Sequence, residues 1–304
     1  MKILEDMSGN KIYFVESTKD WESVPEDVIY LNISKNFSLP KDFFNKSFPL
    51  LKSIIVEDGN PRLSSSDGVL YDLYKTAIFK YPAHKKDKIF VVPESVTDIW
   101  RNCFKGNSYL TEISLPKTLS NVGECAFEGV NLLKVNISDL ELFCLINFGT
   151  SMFNEDTLLY VNGKEVNNNL IINNASKIGP HTFSNLQLND VTLKEVHIIG
   201  DEAFYNCGIR WLYVESKELR IFKSAFFKNP LMKFYSCVKD FAFANSFDKL
   251  EILSLQKNSL IQVGETENFK CKVFGRVNQL FDEDVYSLPE VNEDILMEIY
   301  GKDD

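Results

Sequence analysis

Three histidines in 304 residues leave little room for histidine-dependent catalysis. His84 adjoins Lys85 and Lys86, His181 stands two residues before Phe183, and His197 lies beside Ile198 in a strand-like run, none of them within a catalytic motif. The chain also lacks a GxSxG elbow, a GxxxxGK[ST] phosphate loop, an HExxH pair and a Rossmann glycine pattern. No catalytic residue is assigned, and a non-catalytic protein is expected. Six cysteines are scattered without a CxxC pair, which removes the usual zinc and redox motifs. Cys103 and Cys207 fall at fixed places in the pattern described below and are expected as free, buried thiols. The Asp58-Gly59 and Asp67-Gly68 turns lack the alternating carboxylates of a calcium loop, so neither a metal nor a cofactor is expected. No apolar run approaches the ~18 residues of a membrane span. The start, MKILEDMSGNKIYF, has neither a charged n-region nor an apolar h-region. The expected location is cytoplasmic if Met1 is the native start, and the cell surface or outside if a signal peptide was removed.

Positive charge is sparse as well. Lys and Arg number 33 against 43 Asp and Glu, for a formal charge of −10. Residues 282–304 hold nine acidic side chains and only Lys302 to oppose them, so most of that charge is in the tail and the body is nearly neutral. Phosphate binding needs a basic stripe, and without one nucleic acid is excluded as a partner.

What the chain does have is phenylalanine, 24 copies of it, at a regular interval. Anchors at Phe104, Phe127, Phe183, Phe204, Phe226 and Phe243 are each preceded, five residues back, by Ile99, Val122, Ile178, Ile199, Ile221 or Val238. The residue just before each anchor is Cys103, Ala126, Thr182, Ala203, Ala225 or Ala242, small enough for a chain that turns tightly against a neighbouring coil. Gly123, Gly179 and Gly200 share the slot four back, but Trp100, Phe222 and Lys239 fill it elsewhere, so a positive φ is not compulsory there. Eight to ten residues after each anchor comes a short β-prone run with an outward middle position: Ile113-Ser114-Leu115, Val135-Asn136-Ile137, Val191-Thr192-Leu193, Leu212-Tyr213-Val214, Phe234-Tyr235-Ser236 and Leu253-Ser254-Leu255. Strand alternation repeated every ~22 residues predicts a solenoid in which successive runs stack as one parallel sheet.

Two islands break the period. Residues 58–82 combine turn chemistry at Asp58-Gly59-Asn60-Pro61 and Ser66-Asp67-Gly68 with β-rich runs at 69–71 and 77–79, an inserted hairpin. Between Phe127 and Phe183, Asn162-Gly163 separates 158–161 from Glu165-Val166, a second hairpin signal. The resulting division is an N-terminal cap with one degenerate repeat over 1–57, a repeat array with insertions over 58–255, and a C-terminal cap with an acidic tail over 256–304. The short interval from Phe226 to Phe243 suggests a tightened coil near the end. In the tail, Asn292 can cap a short helix with Ile295 and Ile299, and Leu296 and Tyr300, spaced by four. The tail is either solvated or a docking peptide for a basic groove.

Leu110, Ile113, Leu115, Pro116, Leu119, Val122, Gly123, Ala126 and Phe127 fill, in order, the form L-x-x-I-x-L-P-x-x-L-x-x-I-G-x-x-A-F. That unit resembles the BspA-like leucine-rich repeats, and so do the islands, with Asn60-Pro61, Asp67 to Tyr71, Tyr81-Pro82 and Leu159 to Val166. The resemblance spans about residues 50–255. It implies a right-handed leucine-rich repeat solenoid, mostly β, with stacked parallel strands, short helical turns and two inserted hairpins. It also implies protein binding and adhesion, as in surface proteins of bacteria and some protozoa.

The expected function is therefore a non-catalytic scaffold that offers its parallel sheet to a protein partner. The alternative is a surface adhesion or spacer component that binds host protein or glycan. Stacking the six runs places two adjacent rows on one face. One holds Ser114, Asn136, Thr192, Tyr213, Tyr235 and Ser254, and the other Glu112, Lys134, Asp190, Trp211, Lys233 and Ile252. Trp211, Tyr213 and Tyr235 should form one aromatic patch, and with Lys233, Asn136 and Thr192 they are the candidate partner-binding residues.

Overall fold

A short repeat with two β-prone stretches per period cannot bury its apolar face alone; each turn of chain must stack on the next. In the computed structural model the chain does so in two units, residues 1–139 with 146–165, and residues 140–145 with 166–304. The structure describes residues 1–281 apart from 41, 231, 237, 239, 244, 245, 248, 255–258, 264–269, 275 and 276, and beyond residue 235 it describes side chains at Val238, Ser246 and Phe247 only. The tail with the helix expected from Asn292 lies outside the described residues.

The second unit shows the stacking most simply. Its front sheet is built from Asn169–Ile172, Asp190–Lys194, Trp211–Glu215, Met232–Ser236, Lys249–Ser254 and Lys270–Phe274, all parallel and in chain order. A second parallel sheet takes the other strand of each turn: Lys177–Ile178, Ile198–Ile199, Glu218–Ile221, Asp240–Phe243, Ser259–Val263 and Val277–Phe281. Between the sheets the Phe183, Phe204 and Phe226 rings stack at 5.2 and 5.1 Å, and Phe226 stacks on Phe247 at 4.9 Å. These intervals are close to the ~4.8 Å between paired strands, so one ring per coil fills the core without a gap. All four rings are buried.

The anchor of the last coil is thus Phe247 and not Phe243. Phe243 pairs in register with Ile221, the five-back position, and Ala242 with Arg220. Phe226 N–H donates to Ser246 O at 2.9 Å, as Phe204 N–H does to Ala225 O, so Ser246 is the small residue before the anchor. The tightening is real but lies on the return to the front sheet. Lys233 pairs with Glu251, a shorter step along the chain than the one from Trp211 to its own partner, Lys233. The same slip shifts the pairing of the next strand by one residue: Tyr235 pairs with Leu253 rather than Ser254, and Lys233 with Glu251 rather than Ile252.

The coils anchored by Phe104, Phe127, Phe183, Phe204 and Phe226 carry residues at positive φ two positions before and two positions after the anchor. Asn102, Cys125, His181, Glu202 and Ser224 (φ 52–57°) fill the first slot, and Gly106, Gly129, Asn185, Asn206 and Lys228 the second. A non-glycine there costs about 1–2 kcal/mol. Stacking offsets the cost, because the N–H of Asn102, His181 and Glu202 donates to Glu124 O, Asp201 O and Lys223 O of the following coil. The glycines four back have a different role. A Cβ on Gly200 would lie 2.7 Å from Pro180 N, so this slot is glycine where adjacent coils touch through their backbones. Polar brackets close the coils from inside. Asn229 Nδ2 donates to Phe204 O and Phe226 O while its Oδ1 accepts from Ile209 N–H, and buried Asn107 and Asn60 do the same in the first unit. Cys207 fills the bracket slot of its own coil, its thiol donating to Phe183 O at 3.0 Å.

The first unit repeats this plan with more interruption. Its front sheet joins Ile89–Val91, Glu112–Ser114, Lys134–Ile137 and Leu158–Val161 in parallel and ends in the hairpin to Lys164–Glu165 that Asn162-Gly163 signalled. Its second sheet holds Asp98–Ile99, Asn121–Val122 and Asn147–Phe148, preceded by Leu63–Ser66, Val69–Asp72 and Ala77–Lys80. The first island is therefore a three-stranded insertion, one strand more than the expected hairpin. The second island hides a full turn of solenoid: Phe148 pairs with Val122 in the five-back slot, and buried Phe153 follows at the anchor offset. Phe104 and Phe127 stack at 4.8 Å. The segment 1–57 contains more than the one degenerate repeat expected. Lys11–Val15, Tyr30–Ile33 and Ser53–Val56 are already parallel neighbours, over a core of Trp21, Phe37, Phe43 and Phe48. The helix Leu140–Cys144 belongs to the second unit, where Phe143 lies 5.8 Å from Phe183 and Cys144 O accepts from Gly179 N–H.

Candidate functional site

Strand alternation makes the front sheet of the second unit a surface with its own composition. Leu212, Val214 and Phe234 point inward and are buried, which turns Trp211, Tyr213, Lys233 and Tyr235 outward. Trp211 pairs with Lys233, and Tyr213 with Tyr235. The Tyr213 and Tyr235 rings stack at 5.0 Å with 8° between planes, and Trp211 stacks on Tyr235 at 5.6 Å and 16°. Lys233 Nζ rests 4.7 Å from the centre of the Trp211 ring. Tyr213 remains 39% exposed, the most open aromatic of the group. Its hydroxyl is held protonated above the usual tyrosine range, first by partial burial and then by the Asp190 carboxylate. Thr192 pairs with Tyr213 on the side away from Tyr235, and Asp190 pairs with Trp211.

The structure thus brings Trp211, Tyr213, Lys233, Tyr235 and Thr192 together on adjacent strands. Asn136 belongs to the front sheet of the first unit, where its amide donates to Glu112 Oε1 at 2.8 Å. Glu112 also accepts from Lys134 Nζ at 3.1 Å, Lys134 lies 4.7 Å over the Tyr160 ring, and Tyr160 Oη donates to Glu165. Sequence reasoning found the residues of this network but not their closure, because Tyr160 and Glu165 sit in the island.

Cys103, Cys144 and Cys207 are buried free thiols, and burial pushes Cys103 up to about 12 and Cys207 higher still. Cys125 is half-buried, and a hydrogen bond to the Glu128 carboxylate raises its thiol. Cys103, Cys125 and Cys207 occupy different repeat slots: Cys103 one before its anchor, Cys125 two before, and Cys207 three after. His181 Nδ1 lies 3.4 Å from Glu202, His84 packs edge-on to Tyr109, and His197 Nδ1 lies 3.3 Å from Glu218 O. Among the described residues no group of three or more His, Cys, Asp or Glu could hold a metal ion, and no helix is long and apolar enough to cross a membrane.

Stacked parallel coils, each with one phenylalanine in the column and a strand on either side of it, define a leucine-rich repeat scaffold. The chain belongs to the BspA-type leucine-rich repeat family, whose model matches residues 78–162 and 159–274 in six copies. Together those segments cover about two thirds of the 304 residues. No curated protein sequence matches it. Among solved structures it is similar to the pneumococcal vaccine antigen PcpA, at 23% identity over 71% of this chain and 50% of that one, with a TM-score of 0.43. A leucine-rich repeat protein from Eubacterium ventriosum is 17% identical over 63% of this chain and 52% of that one, with a TM-score of 0.39. A leucine rich cell surface protein from Faecalibacterium prausnitzii is 15% identical over 84% of this chain and 93% of its own, with a TM-score of 0.33. The chain spans about half the length of the first two structures.

Proposed function

We propose that this chain is a non-catalytic scaffold that binds a protein partner through the front sheet of its second unit, with Trp211, Tyr213 and Tyr235 as anchors and Lys233 and Thr192 beside them. The observation that supports this is the exposed aromatic ladder on a sheet whose strands are fixed by pairing on both sides. Rigid Trp and Tyr side chains contribute large contact area at little cost in ordering, and they dominate interface hot spots. A glycan reading fits less well. Sugars dock on open ring faces, and here Tyr235 covers one face of Tyr213 while Lys233 covers one of Trp211, so the stack offers ring edges more than faces. Asn136 is outside this group, since Glu112 already holds its amide. Surface display, with the array as an adhesive or spacer element, is the second setting for the same face. The division into an N-terminal cap, an array and a C-terminal cap with an acidic tail, solvated or docking in a basic groove, is part of the same proposal.

The test is a pair of captures from one extract, with the wild-type chain and with Tyr213→Ala/Tyr235→Ala as baits. A protein retained by the first and lost from the second identifies the partner. Each single substitution should then weaken that complex by at least about 1 kcal/mol with melting almost unchanged. A drop in melting temperature with binding intact assigns the aromatics to stability and ends the proposal.

A further inference from the structure

The four-stranded sheet of the first unit, in the order Lys2–Glu5, Lys11–Val15, Tyr30–Ile33, Ser53–Val56, has two unlike edges. At Ser53–Val56 the outward backbone is occupied: Ile54 N–H donates to Gly68 O and Val56 N–H to Ser65 Oγ, both at 2.9 Å. At Lys2–Glu5 no strand among the described residues pairs with the outer side. Which groups that edge offers follows from the ladder. Asp6 N–H donates to Asn10 O at 2.9 Å, which turns Asp6 toward its neighbour, and antiparallel alternation assigns Leu4 and Lys2 to the same side. The next strand agrees, because Val15 O accepts from Ser34 N–H, turning Val15 and Tyr13 toward Tyr30–Ile33 and leaving Phe14 and Ile12 to bond Lys2 and Leu4. Ile3 and Glu5 therefore direct their N–H and C=O groups away from the sheet. The strand is also apolar at its centre, with Ile3 46% and Leu4 44% exposed. Natural edges are protected by shortness, charge, bulges or a covering element; this one is short and carries Lys2 and Glu5 at its ends. Among the described residues nothing bulges or covers this one.

We propose that this strand pairs antiparallel with the same strand of a second copy of the chain, about a twofold axis at Leu4, so that the two sheets become one. The register follows from bonding and charge. Outward residues must face outward residues, so Ile3 and Glu5 of one copy exchange hydrogen bonds with Glu5 and Ile3 of the other, four bonds in all. The intervening residues then meet side chain to side chain: Leu4 on Leu4, and Lys2 opposite Asp6 at each end. Both groups carry charge: Lys2 Nζ lies 5.4 Å over the Phe14 ring, on the same face of the strand as Leu4, and hydrogen bonds from Asn10 and Ser8 hold the Asp6 carboxyl below the usual carboxylate range. Centring the axis on Ile3 instead would place Lys2 opposite Leu4 and lose both ion pairs. Two four-residue strands bury well under the ~1,200 Å² of a stable complex, so association belongs at high concentration, with a dissociation constant of about 0.1–1 mM.

Sedimentation equilibrium of the full chain, loaded from about 10 μM to about 1 mM, reads it directly. The expected mass climbs from 34.9 kDa toward twice that value. Ile3→Pro removes an N–H that the intrachain ladder does not use, and should cut the association constant at least about tenfold with melting unchanged. Lys2→Glu sets like charges opposite Asp6 and should weaken association too, and added salt should weaken the wild type alone. A monomer mass at the highest loading overturns the proposal, as does self-association that Ile3→Pro leaves intact. Loss with Ile3→Pro but not with Lys2→Glu overturns the register.

Discussion

The front sheets of the two units share a plan and differ in what they show to solvent. In the first, Glu112, Lys134, Asn136, Tyr160 and Glu165 satisfy one another across four strands. In the second, Trp211, Tyr213 and Tyr235 stack ring on ring, and Tyr213 stays exposed. A lysine over an aromatic ring at 4.7 Å occurs in both, Lys134 on Tyr160 and Lys233 on Trp211, so that pairing alone does not mark a site. What distinguishes the second sheet is the concentration of large aromatic side chains on adjacent strands. The repeat fixes where the backbone goes, and the outward position of each strand is then free to vary without cost to the core.

That comparison breaks first if the two cores are not equivalent. Phe204→Ala and Phe104→Ala should each destabilise by about 3–5 kcal/mol in urea denaturation, because each removes one ring from a continuous stack. A loss below about 1 kcal/mol at either site would show that one unit does not depend on its rings.

A smaller effect should appear in alkali. In the first unit burial raises Cys103 from 9.0 to about 12 and Tyr71 from 10.0 to about 12. Both groups hold their protons more tightly folded than unfolded, so their contribution is complete below pH 9 and is lost as pH rises from 9 toward about 12. Melting temperature followed from pH 8 to pH 11 should fall, and Cys103→Ala should flatten the slope in that range. An unchanged slope would remove Cys103 from the account.

The smallest effect sharpens the contrast between faces. Lys134→Ala and Glu112→Gln should each change stability by at most about 0.2–1 kcal/mol, the range for a solvent-facing ion pair, and should leave partner affinity unchanged. A binding loss as large as that of Tyr213→Ala would extend the proposed site to the first unit.

Periodicity made the phenylalanine anchors legible at Phe104 and Phe127 and again from Phe183 to Phe226, because one large ring at constant spacing leaves its mark in the residues five and one before it. The Asn162-Gly163 hairpin was legible for a local reason: Asn162 (φ 51°) and Gly163 (φ 75°) both take the left-handed conformation that such a turn requires. The last coil misled because Phe243 and Phe247 are both phenylalanine with a small residue before them, Ala242 and Ser246. Only backbone pairing separates a strand residue from an anchor four positions later. The turn of solenoid carrying Phe148 and Phe153 was hidden by the helix Leu140–Cys144, which stretches its coil beyond the usual period. Ile54 and Val56 read as a strand, but Lys11–Val15 and Tyr30–Ile33 before them were hidden by uneven spacing. The aromatic ladder could be read because alternation decides which side chains face out, and register held from Asp190 to Tyr235. Closure of the polar network on the first sheet could not, since it depends on side chains from an inserted hairpin.

The helix Leu140–Cys144 has a consequence for how this protein is made. Along the chain the units alternate: the first, a short piece of the second, the end of the first, then the rest of the second. As the polypeptide leaves the ribosome, Phe143 emerges well before Phe183 does, and it must wait for its ring partner while residues 146–165 complete the earlier unit. The two units are therefore not successive beads on a string. The second cannot be cut out as one uninterrupted fragment beginning at residue 166 without leaving behind the carbonyl of Cys144 that receives Gly179 N–H, and with it the ring that covers Phe183.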